Sequence, residues 1–102
     1  MSDRSSRPSG ADLIRTSLVE YLDREFMFMR PDLVLDDQLE LLDEGILDSL
    51  GILRVTAFLE QTFELSLARE DIVGDNFRDL GRIVTMVDTA LARAQQTRGS
   101  EQ

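Results

Sequence analysis

From Ala11 onward the apolar residues of this chain return at helical spacing, with polar residues between them. Ile14, Leu18, Leu22 and Phe26 fall four apart on one face, while Arg15, Glu20, Asp23 and Arg24 lie largely off it. That pattern predicts a first helix over 11–29, stopped by Pro31. The run Phe26-Met27-Phe28-Met29 is denser than one face requires; core packing is the plain explanation and lining a ligand the competing one. A second helix is predicted from Ser49 to Phe63. Ile52, Val55, Leu59 and Phe63 form its first apolar stripe, and Leu50, Leu53 and Ala57 form a second, offset one. An apolar surface wider than one face predicts that part of it meets something besides its own core.

Between these helices, residues 30–48 form a long connector with few helix signals. Connectors of this length are uncommon in compact domains and are usually functional or disordered. Leu33, Leu35, Leu39, Leu42 and Ile46 recur along it as anchors that predict an ordered path, and Gly45 suits a turn. Leu67 to Gly74 reads as a short helical turn ending at glycine. The last helix is predicted to start at Asp75 or Asn76, with Asp79 completing a capping box when Asn76 is the cap. Phe77, Leu80, Ile83, Val84, Val87 and Leu91 supply its stripe, and Gly81 sits inside it as if for close packing. The fold class that follows is all-α: a bundle of three main helices with a short extra one before the last. Residues 11–95 read as one domain, with disordered tails at 1–10 and 96–102.

Composition narrows the chemistry. Cysteine and histidine are absent, which removes disulfides, thiolate sites, the commonest general base and the commonest metal ligand. The expectation is therefore a protein that is not an enzyme and holds no metal. The net charge is −9 and every basic residue is arginine, so a phosphate backbone would be repelled and partners with basic faces favoured. The polar start MSDRSSRPSG has no signal-peptide core, and no apolar run approaches spanning length, so the expectation is a cytoplasmic protein with no stable membrane insertion; a monomer is expected as well.

One serine stands out. Seven acidic residues lie from Asp32 to Asp48, and Ser49 follows them at the head of the second helix. Serine is a favoured N-cap, and Asp48 would serve equally. Alternatively, the first turn of a helix offers unpaired N–H groups and a positive dipole end, which suit a phosphate ester carried by an exposed hydroxyl. With no histidine or lysine to activate it, any chemistry at Ser49 has to be supplied by another enzyme.

The stretch from Asp43 to Val87 resembles the acyl carrier protein family. The shared features are the triplet Asp48-Ser49-Leu50 opening a helix, the closure of that helix at Phe63, and a short helix leading into Phe77-x-x-Leu80-x-x-Ile83. With the first helix and the connector, the resemblance covers about residues 11–95. It implies a four-helix carrier fold with Ser49 as the attachment point of 4′-phosphopantetheine and Asp48 and Leu50 as its flanking residues. A phosphopantetheinyl transferase would move that group from coenzyme A, using magnesium on its own side. The arm's thiol would hold a cargo as a thioester, which accounts for the missing cysteine. The sequence departs from fatty-acid carriers in having glycine four rather than three residues before the serine. The DEGILDSLG arrangement looks more like D-alanyl carriers and other stand-alone carriers of secondary metabolism. Gly51 and Arg54 occupy positions where many fatty-acid carriers are acidic.

The expectation is thus a discrete acyl or aminoacyl carrier in a biosynthetic pathway. The alternative is a helical interaction adapter in which Ser49 is only a cap. Partners implied by the resemblance are the transferase, an adenylating enzyme or ligase that loads the cargo, and a downstream transferase or synthase. Asp43, Glu44 and Asp48 are the candidate acidic contacts, with Leu50 and Leu53 as apolar ones. Arg54 pairs either with an acidic group on a partner or with Glu44 or Asp48 at the surface. A short or polar cargo is favoured over a long chain in a sleeve lined by Phe26, Phe28, Leu33, Leu53, Phe58, Leu59 and Phe77.

Overall fold

A computed structural model describes residues 10–100, with side chains described through Ala94. Its helices are α1 (Gly10–Glu25), α2 (Ser49–Phe63) and α3 (Leu80–Ser100). Single 3-10 turns occur at Met27–Met29, Arg69–Asp71 and Gly74–Phe77, and the described residues contain no strand. The tail expected over 1–10 lies, apart from Gly10, outside the described residues, as do residues 101–102 of the one expected over 96–102. Helix α3 runs through Ser100.

Helix α1 buries Ile14, Leu18 and Leu22, the four-residue repeat read from the sequence. It ends at Glu25, earlier than the predicted 29. Phe26 turns out of helical geometry (φ −129°, ψ −41°), and the Met27–Met29 turn tightens the chain to a 3-10 pitch. Arg30, directly before Pro31, has left the helical region (φ −132°, ψ 66°), as the clash of a following proline ring with helical geometry requires.

Helix α2 occupies the predicted bounds, Ser49–Phe63. Val55 and Leu59 are fully buried, and Ile52 and Phe63 are half-buried against the core. The helix closes at Glu64, which adopts the left-handed conformation (φ 52°) and donates its N–H to the Glu60 carbonyl. The Glu60 carboxylate then accepts the Leu67 N–H at 2.9 Å, steering the chain away from the helix axis. A second contact joins α1 and α2 outside the core. Tyr21 stacks on Phe58 with ring centroids 4.1 Å apart, and its hydroxyl donates to the Arg54 carbonyl at 3.4 Å.

The last helix starts later than predicted. Asp79, rather than Asp75 or Asn76, accepts the Arg82 N–H at 2.8 Å and so caps α3 at Leu80. The residues before it, Gly74–Phe77, form a 3-10 turn that seats Phe77 in the core. The short helix expected over Leu67–Gly74 likewise contains only the 3-10 turn Arg69–Asp71. No close approach explains Gly81, where an added Cβ would meet neighbours at an ordinary 3.6 Å. Leu80, Ile83, Val84 and Val87 are the buried stripe of α3, packed with Phe77 and Leu41 into one core with the apolar face of α1.

Candidate functional site

Ser49 is the first residue of α2 and is exposed. Its neighbour decides its role. Asp48 lies in extended conformation just before the helix, and its carboxylate accepts the Gly51 N–H at 2.8 Å. The cap is therefore Asp48, and the reading of Ser49 as the cap is corrected. The Ser49 hydroxyl makes no hydrogen bond to another described residue. It stands at the positive end of a four-turn helix with nothing competing for it.

The approach to Ser49 is fixed mainly by backbone bonds. Leu41 is fully buried, donates its N–H to the Arg78 carbonyl at 2.8 Å, and accepts from both Ile46 and Leu47 at 2.9 and 3.0 Å. Glu44 donates to Glu40 and Gly45 to Leu42, which closes the turn, and Gly45 takes the left-handed φ of 75° that favours glycine. Ile46 and Leu47 then enter the core, leaving Asp48 and Ser49 outside. The other end of the connector is clasped to this turn by Arg30. Its guanidinium donates to the Glu44 carbonyl at 2.7 Å and takes both carboxylate oxygens of Asp32 at 3.2 and 3.1 Å. Those hydrogen bonds hold the Asp32 carboxyl below the usual carboxylate range and push Arg30 up.

Gly51 has a steric reason. A Cβ there would sit 3.2 Å from Leu47 Cδ2 and 3.4 Å from Phe26 Cε1, tighter than ordinary packing. The start of α2 therefore rests directly on the connector and on the residue that ends α1. Arg54, one turn further, does not reach Glu44 or Asp48. It pairs with Glu25 at 2.9 Å, and its guanidinium lies 4.6 Å above the Phe26 ring. Glu44 pairs instead with Arg30 at 3.5 Å.

The sequence-predicted residues Asp43, Glu44, Asp48, Ser49, Leu50, Leu53 and Arg54 all lie exposed on α2 and the turn that leads into it. Leu50 and Leu53 are 65% and 59% exposed, so the offset stripe of α2 does turn away from the core. Sequence reasoning missed two neighbours. Phe28 and Met29 are 67% and 70% exposed, whereas Met27 between Phe26 and Phe28 is buried. The dense Phe26–Met29 run is thus core packing only in part, and its density was the available signal.

The proposed sleeve residues do not converge on one cavity. Phe28 and Leu53 face outward, Phe77 and Leu59 are fully buried, Phe58 lies on Tyr21, and Phe26 lies beneath Arg54. A cleft of about 660 Å³ does occur, but α3, Arg15 and the residues at Asp71 and Asn76 line it, with no residue of α2. Its arginines are already engaged: Arg15 with Asp37, Arg82 with Asp75 and Asp79, and Arg93 with Asp71. Among the described residues every buried side-chain nitrogen and oxygen has a partner. Thr56, the one polar side chain in the core among the described residues, donates to the Ile52 carbonyl at 2.8 Å. No helix among the described residues is long and apolar enough to cross a membrane. Comparison with protein-family models, with curated proteins and with solved structures yields no match.

Proposed function

We propose that the protein is an acyl or aminoacyl carrier that bears a 4′-phosphopantetheine arm on Ser49 and is itself not an enzyme. One observation carries this reading. Ser49 stands exposed at the first position of a long helix while Asp48 does the capping, so the hydroxyl has no structural employment. The adapter alternative drew its account of Ser49 from capping, and that account has passed to Asp48. The surroundings fit the group: an open position, first-turn N–H groups and a helix dipole suit a phosphodiester. On this reading the two 3-10 turns between α2 and α3 occupy the place of the short third helix of a four-helix carrier bundle.

The chain contributes an acceptor oxygen and its presentation. The Ser49 Oγ forms a bond to the pantetheine-bearing phosphorus of coenzyme A, the diphosphate bridge breaks, and adenosine 3′,5′-bisphosphate leaves. The hydroxyl proton passes to a base on the transferase: the chain has no histidine or lysine, its arginines stay protonated, and the adjacent Asp48 carboxylate is turned to the Gly51 N–H as the helix cap. Once attached, the arm supplies a thiol that holds cargo as a thioester. The dispersal of the sleeve residues supports a short or polar cargo exposed at the end of the arm.

The test is intact mass after incubation with coenzyme A, magnesium and a broad-specificity phosphopantetheinyl transferase. The expected result is a gain of one phosphopantetheine in the wild type and none in Ser49→Ala. No gain in the wild type, or a gain that survives the substitution, overturns the reading.

A further inference from the structure

The Met27–Met29 turn has no part in the account so far, yet two anchors hold it beside the start of α2. On its N-terminal side, the Phe26 ring lies under Arg54 and 3.4 Å from where a Cβ on Gly51 would sit. On its C-terminal side, Arg30 is bonded to the Glu44 carbonyl, on the turn that leads to Ser49. Met27 is turned into the core, so Phe28 and Met29 are turned out. Two segments far apart in sequence thus bring four large apolar side chains to one end of the molecule: Phe28 and Met29 from the turn, Leu50 and Leu53 from α2. All four are more than half exposed, and apolar clusters of this kind on a protein surface mark interaction sites.

The charges around them indicate the occupant. Asp32, Asp43, Glu44 and Asp48 are exposed along the connector side; Arg30, paired with Asp32 and Glu44, offsets one of these charges and leaves the margin net acidic. The exposed part of α2 carries a single charge, Arg54, because Glu60 is half-buried and bonded to Leu67. An apolar centre with an acidic margin complements an apolar patch bordered by arginine or lysine. A lipid surface or nucleic acid of negative charge would be repelled.

We propose that Phe28 and Met29 form, with Leu50 and Leu53, one docking platform for the proteins that reach Ser49, and that those proteins carry a basic-rimmed apolar patch. The inference rests on the carrier reading but adds a second segment to its recognition surface. Methionine and an exposed aromatic ring suit such a role, since the flexible thioether adapts to differently shaped partners and the ring offers a large contact area at low conformational cost.

The experiment uses the unmodified full chain as substrate and the broad-specificity transferase as probe. The double variant Phe28→Ser/Met29→Ser changes only exposed side chains, and circular dichroism should show its helices and melting unchanged. Its KM for modification should rise about tenfold, the factor that 1.4 kcal/mol of lost contact produces, with kcat unaltered. Met27→Ser, which empties a core position instead, should lower the melting temperature. An unaltered KM in the folded double variant overturns the platform while leaving the carrier reading intact, because the mass gain at Ser49 is scored in the same assay. Sedimentation of wild type and double variant gives a second decision. A wild-type dimer that the double variant loses would make a second copy of the chain the occupant and would also overturn the proposal.

Discussion

The Asp48 carboxylate holds the Gly51 N–H at 2.8 Å, and that single bond separates starting the helix from presenting the serine. Two adjacent residues that the sequence made interchangeable as caps have different work in the folded chain. Asp48→Ala should lower stability by about 1 kcal/mol, as cap removal does, whereas Ser49→Ala should melt within a degree or two of wild type. Thermal denaturation of the pair followed at the helical band decides it. Equal losses would return the capping role to Ser49.

Glu64 closes α2 with a φ of 52°, where a Cβ crowds the following carbonyl. Glycine removes that crowding, so Glu64→Gly should raise stability by about 1 kcal/mol despite glycine's greater freedom when unfolded. Urea unfolding gives the sign directly.

Arg54 lies over Phe26 and pairs with Glu25, both partly exposed, so each contact is modest. Arg54→Ala should cost about 0.5–1 kcal/mol, and a double-mutant cycle with Glu25→Gln should assign only part of it to the ion pair. A coupling energy equal to the whole loss would mean that the aromatic ring contributes nothing.

The Arg30 hydrogen bonds depress the Asp32 carboxyl, so the pair's stabilisation is present above the ordinary carboxylate range. It is lost as pH falls through the lowered folded value. In a carboxyl NMR titration Asp32 should titrate below the ordinary range, and Arg30→Gln should bring it back. The same variant should speed amide exchange at residues 43–45, since the Glu44 carbonyl loses its clasp.

Because Asp43 and Asp48 are exposed and screened over about 8 Å at physiological ionic strength, the on-rate of the modifying enzyme should fall as salt rises. Cargo behaves differently. Loading the arm with acyl groups of increasing length should leave the melting temperature flat, because a chain drawn inside would add about 0.8 kcal/mol per buried CH₂. A steady climb with length would mean that the core opens to sequester it.

The bounds of α2 were legible because an apolar run, an acidic cap and two stripes coincide from Ser49 to Phe63. The end of α1 was not. Phe26, Met27, Phe28 and Met29 are apolar alike, and spacing alone does not show that the helix stops at Glu25 or that Phe28 and Met29 turn outward. The start of α3 was misjudged for a related reason: Asp75, Asn76 and Asp79 are all competent caps, and burial of Phe77 selects the last. Among the connector's leucines, Leu33, Leu35, Leu39 and Leu42 were singled out, while Leu41 and Leu47, which lie deepest, were not. Spacing cannot rank leucines in a segment without periodic structure. The ranking comes from the Leu41 backbone, which ties Ile46, Leu47 and Arg78 together.

That knot at Leu41 makes the loop before the serine a replaceable cassette. Its shape is written in main-chain bonds, a buried leucine and one left-handed glycine; the Asp43 side chain takes no part in it, whereas the Glu44 carboxylate reaches Arg30. Charge at Asp43 can be neutralised or reversed at a cost within about 0.5 kcal/mol, provided Leu41 and Gly45 are kept. On the carrier reading, preference for one partner over another can be tuned at this position without refolding the chain.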